Sequence, residues 1–302
     1  MIYLNIFIIQ KNNMLEILFL IVAFIGSVAA GLYDLKTTEI PDEIPYTMMA
    51  VGIIGGMIKS YLAWSYMPLL LSFTVGLGFL GFGLIMYYTG QWGGGDAKIL
   101  SGIGFLVPTL PSGISKTLFF PFSLSFFFNL FLVGAIYMIV YALILSIINR
   151  KIWTAFVKNV RANVKTLLIF DFSLILFFIL IGFAFTKLFN FTISDDLLNL
   201  NLTLVLLCTG MFLLWKFVKV VEEVGFKKKI PVSQVRIGDV PLDFKVWEGV
   251  TEKDLAKIKK SGKKYIWIKE GVRFAPAFPL ALLFTIFYGD IILLLINYGT
   301  SI

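Results

Sequence analysis

Residues 14–36 read MLEILFLIVAFIGSVAAGLYDLK. The run from Met14 to Tyr33 is overwhelmingly apolar, and at about 1.5 Å per residue it is long enough to cross a ~30 Å hydrocarbon core before stopping on Asp34. No basic segment leads it, and more such runs follow, so it reads as a first transmembrane helix rather than a cleavable signal peptide. Working outward, further spans are expected at 45–63, 67–89, 97–110, 118–148, 167–190, 198–219 and 274–298. The fourth is about fourteen residues, short of the roughly 20 that a crossing needs, so it must tilt, thin the bilayer or extend through Pro108 and Pro111. The expected fold is an all-α polytopic membrane protein of about eight transmembrane helices, within a range of six to nine.

Composition agrees. Of 302 residues, 59% are hydrophobic, 16% aromatic and only 15% charged, and the mean hydropathy is +0.90. With no histidine, Ser-His-Asp and Cys-His catalysis and histidine-ligated metals are excluded, and a lone Cys208 excludes an internal disulfide and cysteine-rich metal sites. No metal or cofactor is expected. Chemistry here falls to carboxylates, lysines, hydroxyls or the backbone.

Basic residues orient the spans, because Lys and Arg resist translocation. With an outside N-terminus and eight alternating spans, all 26 basic residues except Lys11, Lys59, Lys116 and Lys187 fall on the cytoplasmic side. The net charge of +8 then belongs to a face suited to anionic lipid head groups, and no nucleic-acid partner is expected. The expected location is the plasma membrane.

One sizeable polar segment interrupts this pattern. Three regions are expected: a transmembrane body over 1–219, a cytosolic α+β insert over 220–273 and a final transmembrane helix within 274–302. In the insert, Thr251 three residues before Asp254 marks a helix start and Gly262 its stop, while Tyr265–Ile268 alternates like a strand that turns at Glu270-Gly271.

Of eighteen acids, Asp34, Asp96, Asp171 and Asp290 lie at or inside span ends, where an ionisable group is costly. Asp171 reads as a first-turn acid favoured by the helix dipole and Asp290 as a structural acceptor. Asp34 ends the first span and Asp96 begins the fourth, so both lie at the cytoplasmic interface. Two carboxyls brought within ~4–6 Å share one proton, which lets one act as base toward water and the other as acid toward a peptide carbonyl. Asp96 follows Gly93-Gly94-Gly95, where the backbone can bend or be approached closely, although an Asp at this point can also cap a helix.

These residues carry a resemblance. Gly93-Gly94-Gly95-Asp96 is a GxGD motif, and Asp34-Leu35-Lys36 leading to Ile40-Pro41-Asp42 looks like the first-aspartate segment of the same family. The chain resembles the type IV prepilin peptidases, most closely the archaeal branch that includes preflagellin peptidase. The likeness extends over Leu100–Pro108 and, more loosely, to the insert with Pro276 and Pro279. It implies an aspartyl endopeptidase at the cytoplasmic membrane face that removes short basic leader peptides from pilin-like or archaellin precursors, with Asp34 and Asp96 catalytic. It also implies substrate contact at Gly93, Gly94 and Gly95, with Gly93 and Gly95 allowing close approach. Glu39, Asp42 and Glu43, in a short loop after Asp34, are expected to read the leader's positive charge. Lys36 and Lys98 are expected to snorkel to lipid phosphates. The chain lacks the cysteines of the zinc domain found in bacterial members, so methyl transfer is not implied. An additional helix pair near 167–219 is expected relative to six-span relatives.

Two other readings use the same acids. A presenilin-like or signal-peptide-peptidase-like protease would cut inside the bilayer, yet both aspartates sit at span edges and an Ile-Pro-Asp turn follows Asp34 directly. A cation- or proton-coupled transporter would place paired acids near the midplane within a repeated architecture, and no repeat is visible.

Overall fold

The structure is a computed structural model and describes residues 2–111, 114, 118–189, 195–235, 239–242, 249–269, 271–291 and 293. It divides into two compact units, Met1–Met138 with Pro231–Ile302, and Ile139–Ile230. The polar stretch from Pro231 onward belongs to the same unit as the first four helices.

The first unit is built on α1 (Ile2–Thr37), α2 (Glu43–Ala63), α3 (Met67–Tyr88), α4 (Gly94–Leu106) and the first part of α5 (Phe122–Ile148). Six helices of the described chain are long and apolar enough to cross a membrane: Met14–Thr37, Glu43–Ala63, Met67–Tyr88, Phe122–Ile148, Val164–Phe185 and Asn199–Gly225. The expected fourth span is not among them. Its helix has 13 residues, only about 20 Å of rise, and every residue from Asp96 to Leu106 except Lys98 is buried. An apolar helix enclosed on all sides needs no lipid to satisfy it, which is why this sequence is apolar but short.

Small residues let α4 sit close to its neighbours. A Cβ on Gly83 of α3 would lie 2.7 Å from the Cα and Cβ of Ala97, and one on Gly52 of α2 would lie 2.6 Å from the Phe105 carbonyl carbon. Where lipid is the alternative environment, such close backbone approach supplies van der Waals attraction in place of a hydrophobic drive. Two buried serines of this interface bond to backbone, Ser72 Oγ to the Phe105 carbonyl (2.7 Å) and Ser101 Oγ to the Gly76 carbonyl (2.9 Å).

The last expected span is helical over α10 (Ala277–Tyr288), 12 residues that end at Gly289 with a positive φ of 74°. Residues 292 and 294–298 of that span lie outside the described residues. Buried Asn129 of α5 ties this end down, donating to Thr285 Oγ1 (2.9 Å) and the Gly289 carbonyl (2.8 Å) and accepting from the Ile291 N–H (3.2 Å). Asp290 Oδ2 accepts the Phe119 N–H and, at 3.3 Å, the Phe120 N–H.

The polar stretch precedes α10 in the chain. Helix α9 (Glu252–Lys260) starts at Thr251, whose Oγ1 accepts the Asp254 N–H, and stops before Gly262, whose φ is +69°. Strand β2 (Val240–Pro241) pairs antiparallel with β3 (Tyr265–Lys269), with Val240 opposite Lys269 and Pro241 opposite Ile268. Glu270 of the expected turn lies outside the described residues.

The second unit contains the end of α5, α6 (Arg150–Ala162), α7 (Val164–Phe189) and α8 (Asp195–Val220), and closes with β1 (Lys227–Pro231) at its boundary. Residues 150–162, between two of the expected spans, form an amphipathic helix. Asn149 caps it, and Ile152 and Phe156 turn inward against Phe217 and Val221. Asp171 is not in a first turn. It is the eighth residue of α7 and accepts a hydrogen bond from Thr209 Oγ1 of α8 at 2.7 Å, so its cost is met by a partner rather than by a helix end.

Candidate active site

Asp34 stands in the last turn of α1, where Thr38 takes a φ of 61° and its N–H donates to the Asp34 carbonyl at 2.9 Å, ending the helix. The side chain is buried, and its Oδ2 accepts the Ala275 N–H at 2.9 Å. Arg273, two residues before Ala275, exerts its positive charge on the same carboxyl. The segment 271–276 therefore runs as a strap over the end of α1.

Asp96 is the third residue of α4. Gly93 precedes the helix in an extended conformation (φ −74°, ψ 155°), and its N–H donates to Asp96 Oδ2 at 3.1 Å. The capping contact thus occupies one of the two oxygens. Asp96 Oδ1 is buried, and no hydrogen-bond partner meets it among the described residues. Gly95 packs closely: a Cβ there would lie 2.9 Å from the Ile40 Cβ, so the loop after Asp34 rests directly on the start of α4. That contact ties the two aspartate-bearing segments together.

Both carboxyls line one cavity of about 600 Å³, with Thr38, Glu39, Trp92, Gly93, Gly94, Gly95 and Lys269 among its walls. Trp92 belongs to an aromatic cluster with Phe274 (5.4 Å) and Phe131 (6.1 Å). Burial, reinforced by the Asp34 carboxyl and opposed by the Gly93 N–H, pushes the Asp96 carboxyl up to about 8. At neutral pH such an acid carries a proton, and a buried, protonated carboxyl near a second carboxyl can pass that proton to a developing oxyanion.

Of the three loop acids expected to face a substrate, only Glu39 reaches the cavity wall. Asp42 is engaged by Lys98 at 2.6 Å, and Glu43 opens α2 outside the lining. Lys98 does not simply snorkel. Its ammonium pairs with Asp42 and sits 5.1 Å from the centre of the Tyr46 ring, another link between the two aspartate segments.

The sequence reading did not foresee that Val240, Gly249, Lys269, Gly271 and Val272 border this cavity, nor that the strap reaches Asp34. The available signal was Arg273 standing at the edge of an apolar run that opens Phe274-Ala275-Pro276. By sequence alone that position marks only a cytoplasmic charge.

Residues 19–148 match the type IV leader peptidase family. The matched stretch, which begins within α1 and ends with α5, contains Asp34, Asp96 and the three glycines before Asp96. Among individual relatives, the preflagellin peptidase of Methanocaldococcus jannaschii is 33% identical over 88 residues, 29% of this chain and 37% of that protein. The preflagellin peptidase of Methanococcus voltae is 29% identical over 152 residues, 48% of this chain and 59% of the relative. The prepilin peptidase EppA of Methanothermobacter thermautotrophicus is 24% identical over 149 residues, 45% and 38% of the two chains. The chain thus spans less than two thirds of each relative. No solved structure matches it.

Proposed function

We propose that this protein is a membrane aspartyl endopeptidase that removes short basic leader peptides from type IV pilin-like or archaellin precursors at the cytoplasmic membrane face. The single observation that carries the reading is the convergence of Asp34 and Asp96 on one cavity, within a stretch that matches the leader peptidase family. The named relatives act on preflagellin or prepilin, which supports the substrate class.

In this mechanism one carboxylate takes a proton from water, and the water oxygen attacks the scissile carbonyl. The protonated partner donates to the oxygen that gains charge, and the proton held by the base returns to the leaving amine. The position of Asp34 in the last turn of α1 favours cutting at the membrane surface over cutting at its centre. The transmembrane body over 1–219 carries the two aspartates, the polar insert 220–273 carries Val240, Gly249 and Lys269 of the cavity wall, and a final transmembrane helix falls within 274–302. Lipid contact falls to the span surfaces, and neither metal nor cofactor takes part.

Cleavage of a pilin-like precursor in detergent tests the proposal. Activity abolished by Asp34→Asn and, separately, by Asp96→Asn is the expected result. Undiminished cleavage by either variant rejects it.

A further inference from the structure

Two acids sharing one proton leave open which is the base, and here their surroundings differ. Asp34 Oδ2 accepts the Ala275 N–H at 2.9 Å, and the Arg273 guanidinium adds an opposite charge. Both favour a carboxylate over a carboxylic acid and so work against burial, the larger effect, which favours the neutral form. Asp96 receives one N–H, from Gly93 at 3.1 Å, and its other oxygen is buried with no hydrogen-bond partner among the described residues. A buried oxygen without a donor is costly as part of an anion but suits a carboxyl carrying its own O–H.

The strap that delivers Arg273 is pinned at each step. Tyr137 Oη donates to the Arg273 carbonyl at 2.9 Å. The Phe274 ring fills the space beside Gly134, where a Cβ would lie 2.8 Å from it, and Pro276 closes on Gly31, where a Cβ would lie 3.1 Å from the proline Cα. The Ala275 N–H and the Arg273 charge are thus fixed relative to α1 before any substrate arrives.

We propose that Arg273, acting with the Ala275 N–H, is a positioning residue that holds Asp34 ionised as the general base and leaves Asp96 as the proton-bearing acid. The assignment rests on the peptidase reading. Asp34 takes a proton from water as the water oxygen bonds to the carbonyl carbon; the C=O π pair moves to its oxygen, which takes the Asp96 proton. When the C–N bond breaks, the nitrogen takes the proton from Asp34, and a hydroxyl proton of the intermediate returns to Asp96, restoring both. Among the described residues, the other titratable or charged side chains lining this cavity are Glu39, Tyr87 and Lys269.

The experiment follows precursor cleavage by wild type, Arg273→Gln and Arg273→Lys in detergent, alongside Asp34→Asn and Asp96→Asn. Arg273→Gln is expected to lose about tenfold or more in kcat with KM within about threefold, and Arg273→Lys, which keeps the charge, to recover most of the loss. Equal losses in kcat and KM, or no rescue by lysine, overturn the assignment. Infrared difference spectra at pH 6 test it without any Arg273 variant. Asp34→Asn should delete a carboxylate band and Asp96→Asn a protonated carboxyl band, and the reverse pattern overturns the proposal. Cleavage by either aspartate variant defeats the peptidase reading itself, whereas two inactive aspartate variants beside a fully active Arg273→Gln defeat only the role of Arg273.

Discussion

Gly83→Ala is the sharpest test of how α4 is held. A methyl at Gly83 would lie 2.7 Å from both the Cα and the Cβ of Ala97 and 3.3 Å from its carbonyl oxygen. Carbon atoms settle at about 3.5–4.0 Å, so α3 and the start of α4 must part by roughly 1 Å. The obstacle is backbone, which cannot rotate aside. Forcing a methylene into such a site costs about 1–3 kcal/mol, against a gain of up to ~1 kcal/mol from replacing glycine in a helix. Gly81→Ala supplies the control, because nothing lies within 4 Å of a Cβ at Gly81, on the same helix. Thermal unfolding in detergent should show Gly83→Ala destabilised and Gly81→Ala neutral or slightly stabilised. Because Ala97 directly follows Asp96, kcat for precursor cleavage should fall with the displacement, by as much as ~100-fold for a full 1 Å shift. Indistinguishable melting and cleavage in the two variants would refute the close approach of α3 and α4.

Asp96 also makes stability depend on pH. Its folded-state pKa of about 8 is above the ordinary value of 3.8, so the folded state holds the proton more tightly. The stabilisation is complete below about pH 4 and is lost as pH rises toward 8, at no more than about 1.4 kcal/mol per unit. Melting scans from pH 5 to pH 8 should show wild type falling relative to Asp96→Asn, and parallel curves would contradict the buried, protonated acid. If the cavity-lining acid reads a basic leader, Glu39→Lys should raise KM several-fold while Glu43→Lys, outside the lining, changes it little, as peptide kinetics would report. Asn129→Leu should cost about 2–4 kcal/mol in thermal stability, since it leaves Thr285, the Gly289 carbonyl and the Ile291 N–H without their buried partner.

Much of the site was legible because its parts are local in sequence. Asp34 at the end of an apolar run, and Asp96 behind three glycines, are visible as span-edge acids to anyone counting residues, and Thr251 with Gly262 announces α9 in the same way. What needed the fold is non-local. Apolarity does not distinguish a helix wrapped by lipid from one wrapped by protein, so α4 passed for a span until its neighbours were seen. The segregated charges of 150–162 announce an amphipathic helix that lies between two spans, and Asp171 is interior because α7 begins at Val164, before the expected span start at 167. Local chemistry along the chain determined that this is a multi-span helical protein with two acids at helix ends. Only the tertiary structure decided which groups surround those acids, because the Ala275 N–H and the Arg273 charge reach Asp34 across 241 and 239 residues of chain. Contacts at that separation are set by how helices pack, and no periodicity records them.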